Sequence, residues 1–162
     1  TAQQMHAAVM QRIAECDIFI GVAAVADYRP KSTAGQKIKK QAQTLQLELV
    51  RNPDILAEVA ALECPPFTVG FAAETERVEE FAEAKRRDKG IDLIAANRVA
   101  GESGGFERDD NALILRWRTG GETLPLMGKS ELARRLAERI AEQYLAKQGS
   151  KRGVGEINHN SH

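Results

Sequence analysis

Asp17-Ile-Phe-Ile-Gly-Val-Ala-Ala-Val25 is a nearly continuous apolar run. It is short for a helix of that hydrophobicity and too uniform for a strand with one wet face. It reads as a central strand covered on both faces, the mark of a parallel sheet. The pattern repeats on either side. Met5, Val9 and Ile13 recur every four residues and predict a helix over 2–15. Leu45–Val50 is a strand candidate. Asn52-Pro53-Asp54 opens a helix through about Leu62, with Asn52 as N-cap and Pro53 at the first helical position. Phe67–Ala72 and Asp92–Ala96 are further strands, separated by a helix over 75–89. The alternation predicts an α/β domain, a Rossmann-like, mostly parallel sheet flanked by helices. The 111–126 segment reads instead as a hairpin turning at Thr119-Gly120-Gly121. Leu132, Leu136, Ile140 and Tyr144 mark a last amphipathic helix, which ends the domain near residue 147. Residues 148–162, rich in Gly, Ser, Asn, Lys and His, read as a disordered tail.

The chain has 162 residues, with 23 Lys+Arg against 23 Asp+Glu, so its formal net charge is +0. A global electrostatic grip on nucleic acid is not expected, and any anion site must be local. No apolar run approaches the roughly 20 residues of a membrane span, and no signal peptide is visible ahead of the first helix. Cys16 and Cys64 form no C-x-x-C and read as reduced thiols in or near the core of a cytoplasmic protein. The histidines, His6, His159 and His162, lie far from any cysteine cluster, which argues against structural zinc.

In an open parallel sheet, ligands bind beyond the carboxyl ends of the strands. Ala26-Asp27-Tyr28-Arg29-Pro30, Ala73-Glu74-Thr75 and Asn97-Arg98-Val99 follow three of the apolar runs and are candidate site segments; the plainer reading makes them caps and turns. Residues 28–47 hold Arg29, Lys31, Lys37, Lys39 and Lys40 and no acid, beside the flexible Ser32-Thr33-Ala34-Gly35. That suits either a solvated basic loop or a mobile lid over a polyphosphate. In the helix over 75–89, acids come first and bases last, as the helix dipole favours without any function. Lys85 and Lys89, four apart, nevertheless share a face and can reach one phosphate. There is no G-x-G-x-x-G after a strand, no P-loop and no G-x-S-x-G elbow, so an NAD dehydrogenase or a P-loop enzyme is disfavoured.

Five short motifs then fall in order: Ala23-Ala24-Val25-Ala26-Asp27-Tyr28-Arg29-Pro30, Lys37-Ile38-Lys39-Lys40, Asn52-Pro53-Asp54-Ile55-Leu56, Val69-Gly70-Phe71-Ala72-Ala73-Glu74-Thr75 and Ala95-Ala96-Asn97. Over residues 1–147 the chain resembles the bacterial phosphopantothenate–cysteine ligases, the synthetase half of bifunctional coenzyme A biosynthesis flavoproteins. The resemblance implies a cytoplasmic homodimer that uses CTP and Mg2+, with the hairpin near the dimer contact. It implies attack of the 4′-phosphopantothenate carboxylate on the α-phosphate of CTP, giving an acyl-cytidylate and pyrophosphate. The amine of free cysteine then displaces CMP. By the same resemblance Lys37 is catalytic, Lys37, Lys85 and Lys89 contact the phosphates, and Asp27, Pro53, Asp54, Ile55, Leu56 and Phe71 contact the nucleotide. Loop 31–42 corresponds to a flexible lid, and the turn 53–56 to a helix N-terminus that cradles a polar ligand. The magnesium ligands are not assigned. The family's upstream strand, glycine-rich segment and an assisting asparagine would precede Thr1. FMN would belong to a separate flavin-dependent decarboxylase domain, not to this chain. The competing expectation is a fragment that binds a cytidine nucleotide and dimerises without turnover.

Overall fold

The computed structural model describes residues 1–33, 35–36, 44–98 and 110–156. Helix α1 (Ala2–Arg12) opens with a capping box: the Thr1 hydroxyl accepts from the Gln4 N–H and the Gln4 side chain reaches back to the Thr1 amine. A 3-10 turn (Ile13–Glu15) then leads into β1 (Ile18–Gly21). A small antiparallel ribbon, β2 (Tyr28–Pro30) with β3 (Leu49–Arg51), and a short helix α2 (Ile55–Ala60) precede β4 (Phe67–Glu74). Helix α3 (Val78–Asp88), strands β5 (Leu93–Arg98), β6 (Asp110–Trp117) and β7 (Gly120–Gly128), and helix α4 (Lys129–Glu156) complete the chain.

Strands β1, β4, β5, β6 and β7 form one sheet in that order. The β1–β4 and β4–β5 pairs are parallel, and β5–β6 and β6–β7 antiparallel. Successive residues of a strand face opposite ways, and β5 shows both faces buried. Leu93 and Ala95 pack with Leu132, Leu136 and Ile140 of α4, while Ile94 and Ala96 pack with Val78 and Ala82 of α3. This double burial is why the run is apolar throughout. A third cluster, Ile13, Ile55 and Val59 with Phe19 beside them, seats α1 and α2 against β1. Helix α3 ends in a Schellman turn: Ile91 N–H donates to Arg86 O, Gly90 N–H to Arg87 O, and Gly90 takes φ +66°.

The hairpin forms where the sequence puts it, although its two-residue turn is Arg118-Thr119, one position early, since Trp117 already pairs with Gly120. Several expectations need correction. Of the run 17–25 only Ile18–Gly21 is strand; among the described residues it pairs with β4 alone, and Ile20 and Val22 are 45% and 61% exposed. The 45–50 candidate contributes only β3, which pairs with β2 outside the main sheet. Asn52 is not the N-cap of α2; Asp54 is, because its carboxylate accepts the Ala57 N–H at 3.1 Å. That helix also stops at Ala60. Both cysteines are free and exposed rather than in the core. The backbone continues as helix past residue 147 to Glu156, so 148–156 are not an unstructured tail. At the expected boundary Lys147 anchors α4 on Asp92 at 2.6 and 2.8 Å. Among the described residues no helix is long and apolar enough to cross a membrane.

Candidate nucleotide site

A cavity of about 470 Å3 opens beyond the carboxyl end of β1, over the middle of β4. One wall is the segment after β1, from Ala23 to Asp27. The second is the turn Asn52–Leu56, the third is Gly70 and Phe71 of β4, and the fourth is α3, through Lys85 and Lys89. Gly70 keeps the floor open, since a Cβ there would lie 2.8 Å from both Leu56 and Ile91 side chains. Eight of the nine residues that the resemblance assigns line this one cavity: Asp27, Pro53, Asp54, Ile55, Leu56, Phe71, Lys85 and Lys89; the strand-end candidates Glu74, Thr75, Asn97 and Arg98 do not. The ninth, Lys37, lies outside the described residues, as do Lys39 and Lys40 of the basic loop.

Asn52, which sequence reasoning took for a helix cap, ties two walls together. Its side-chain amide donates to Ala26 O at 2.7 Å, its backbone N–H donates to Asp27 O at 2.8 Å, and its Oδ1 accepts from Arg29 at 3.2 Å. Arg29 also donates to Arg51 O at 2.6 Å. Thus Arg29 works as a brace under the pocket rather than as a free cation of the loop. Lys31 is likewise engaged, with Glu48 at 2.7 Å. The signal for Asn52 was present in the Asn-Pro-Asp triplet, but the triplet offers two capping side chains and local sequence does not choose between them.

The cations of α3 are not bare. The Lys89 ammonium donates to Asp54 Oδ2, and Lys85 donates to Glu74 Oε1 at 3.2 Å. Burial pushes the Asp54 carboxyl up, but hydrogen bonds from Lys89 and from the Ala57 and Leu56 N–H groups, with the Lys89 charge, outweigh it and hold it below the usual carboxylate range. The expected cradle at 53–56 therefore already contains a carboxylate of the chain itself. Glu83 accepts from Arg86 and Arg87, and these contacts hold its carboxyl down to about 2.

The sequence profile of the DNA/pantothenate metabolism flavoprotein C-terminal domain matches residues 1–144. The chain belongs to this family. Within it, the "Coenzyme A biosynthesis bifunctional protein CoaBC" of Vibrio cholerae is 52% identical over 143 residues, which is 86% of this chain and 36% of that protein. The protein of the same name from Escherichia coli is 49% identical over 148 residues, 89% of this chain and 36% of the relative. The chain thus spans about a third of the length of the curated relatives it matches. Among solved structures, the "C-terminal Domain of Coenzyme A biosynthesis bifunctional protein CoaBC" superposes with a TM-score of 0.68 at 35% identity, covering 88% of this chain and 64% of that one. A DNA/pantothenate metabolism flavoprotein from Streptococcus pneumoniae, 19% identical, has the same fold at a TM-score of 0.65. The family domain is an α/β unit with a mixed sheet flanked by helices, as described above.

Proposed function

We propose that this domain ligates 4′-phosphopantothenate to cysteine at the expense of CTP, in the cytoplasmic synthesis of coenzyme A. The observation that carries the reading is the convergence of eight residues that the resemblance assigns, from four separate segments, on one cavity. The relatives named for coenzyme A biosynthesis support the pathway.

In this reading the cytosine sits between the 26–27 segment and the 52–56 turn, where Asn52 holds the backbone rigid. Cytosine offers an amine donor beside a ring acceptor and uracil the reverse, so fixed backbone groups favour one over the other by about 1–3 kcal/mol for each pair left unmade. The triphosphate runs along α3 past Lys85 and Lys89, with Lys37 as the third phosphate-contacting lysine. The 4′-phosphopantothenate carboxylate forms a bond to the α-phosphorus as the pyrophosphate bond breaks. The cysteine amine then bonds the acyl carbon, loses its proton and expels CMP. Bringing a carboxylate to a triphosphate costs roughly 1 kcal/mol per like-charge pair near 4 Å in water and roughly 4 at an effective dielectric of 20. The lysines offset part of that repulsion as charge builds in the transition state.

Among the described residues no cluster of three or more His, Cys, Asp or Glu could hold a metal ion by itself. The pocket does offer hard oxygen donors, Asp27 and Asp54, which fits a Mg2+ carried chiefly by phosphates and water and touched by one or two carboxylates. When bound, that ion neutralises phosphate charge. In the full-length protein the partner is a flavin-dependent decarboxylase domain. Dimerisation would use the β6–β7 hairpin, whose outer strand is a sheet edge with Leu126 exposed.

The test is pyrophosphate release by the full-length protein with CTP, Mg2+ and 4′-phosphopantothenate, followed by CMP release on adding cysteine. Both products are expected, and UTP should support much less. A CTP-dependent rise in melting temperature without pyrophosphate would replace the ligase with a nucleotide-binding dimerisation module.

A further inference from the structure

Two carboxylates stand where an incoming triphosphate would place its charge. Asp54 takes the Lys89 ammonium on one oxygen and the Ala57 N–H on the other. Glu74, at the end of β4, takes Lys85. Both lysines and Asp54 also border an open annex of about 570 Å3 lined by Glu74 and Phe81, so the pairs divide the main cavity from that annex. The partners are distant in sequence, 35 residues apart for Lys89 and Asp54 and 11 for Lys85 and Glu74. They meet only because α2 and the end of β4 flank α3.

We infer that Asp54 and Glu74 are internal anions that occupy Lys89 and Lys85 until nucleotide phosphates take their place, so that phosphate binding is an ion-pair exchange. The inference rests on the nucleotide reading of the pocket and adds an affinity-setting role for two carboxylates. The pairs are partly exposed, and such pairs shift an equilibrium by no more than about fivefold. They are strong enough to hold the lysines out of water-facing disorder and weak enough to surrender them. Exchange leaves two carboxylates beside the phosphates. Each close like-charge pair near 4 Å costs a further factor of about five in water. The carboxylates therefore discriminate against polyphosphate that arrives without a neutralising cation, and they lower affinity for the phosphate part of the ligand alone.

The experiment is calorimetric titration of the full-length protein with CTP, cytidine and inorganic pyrophosphate in EDTA, for wild type, Asp54→Asn and Glu74→Gln. Asparagine is as good a helix cap as aspartate, so Asp54→Asn keeps α2, and a melting curve checks this. Glu74→Gln does not touch that helix and decides the matter alone if Asp54→Asn fails to fold. Exchange predicts that each folded variant binds pyrophosphate about threefold or more tighter, and that the ratio of CTP to cytidine affinity rises equally. The gain should shrink as salt is added. Equal or weaker pyrophosphate binding by a folded variant overturns the inference, because the carboxylates would then only orient the lysines. If wild type binds neither CTP nor cytidine, the nucleotide reading itself falls; CTP binding without the gain removes the exchange alone.

Discussion

At the amino ends of β4 and β5, Asp92 receives Lys147 on both carboxylate oxygens, and one of those oxygens also accepts the Thr68 N–H at 2.9 Å and its hydroxyl at 3.2 Å. Lys147 lies near the Phe67 ring, and Thr68 is fully buried. On the opposite face of the same strands, Lys85 and Lys89 in the last turn of α3 each hold a single carboxylate oxygen and face an open cavity. The chemistry is the same, but the saturation differs. A carboxylate that accepts four hydrogen bonds fastens α4 to the sheet and leaves little to exchange. A lysine held by one oxygen keeps donors for a ligand. The α4 face is expected to govern stability and the α3 face binding.

The largest expected effect concerns the third lysine, Lys37. Lys37→Ala in the full-length protein should slow pyrophosphate release by about 10²–10³, or roughly 3–4 kcal/mol, with the melting temperature unchanged. A fall of less than threefold would leave the exchange to Lys85 and Lys89. Next, Asp92→Ala strands the buried Thr68 groups and Lys147, and should cost roughly 2–3 kcal/mol of stability. Its melting temperature should drop by about 5–10 °C, while CTP affinity of the folded protein stays within about twofold. A loss of CTP binding without a loss of stability would reverse the comparison. Lys89→Ala should do the opposite: about tenfold weaker CTP binding, from one lost charge-assisted bond, and a stability change within about 0.5 kcal/mol.

The smallest effect tests the brace on α3. Glu83 is held down to about 2 from an ordinary value of 4.5, first by the Arg86 hydrogen bond and then by Arg87. A depressed carboxyl stabilises the fold above its unfolded pKa, and that contribution is lost as pH falls from about 5 toward 2. Screened by solvent, it should amount to about 1 kcal/mol. Glu83→Gln should flatten the stability profile across this range, as read by urea melts at several pH values. An unchanged slope would assign the acid limb to other carboxylates.

These contrasts also explain what the sequence could tell. Strands β4 and β5 and helix α4 were legible because burial on both faces, or along one stripe, writes a period into the residues. Lys85 and Lys89 were legible because helix geometry alone puts them on one face. Their carboxylate partners were not, since Asp54 and Glu74 reach them through tertiary packing that leaves no local pattern. β1 was overread in length: hydropathy does not mark where pairing stops, and of the apolar run 17–25 only Ile18–Gly21 pairs with β4. The exposed cysteines follow the same logic, being placed just ahead of β1 and β4 at the rim of the sheet. Helix α4 runs past its expected end, and the Lys147–Asp92 contact at that boundary spans 55 residues, which no local composition reveals.

The central claim is that the lysines of the α3 face exchange partners with a nucleotide and the lysine of the α4 face does not. Lysine side-chain ammonium signals, followed by NMR while CTP is titrated into the protein, read this directly. The account predicts that the Lys85 and Lys89 signals shift with a common saturation curve while Lys147 stays in place. A shift confined to Lys147, or CTP binding that leaves Lys85 and Lys89 unmoved, would contradict it.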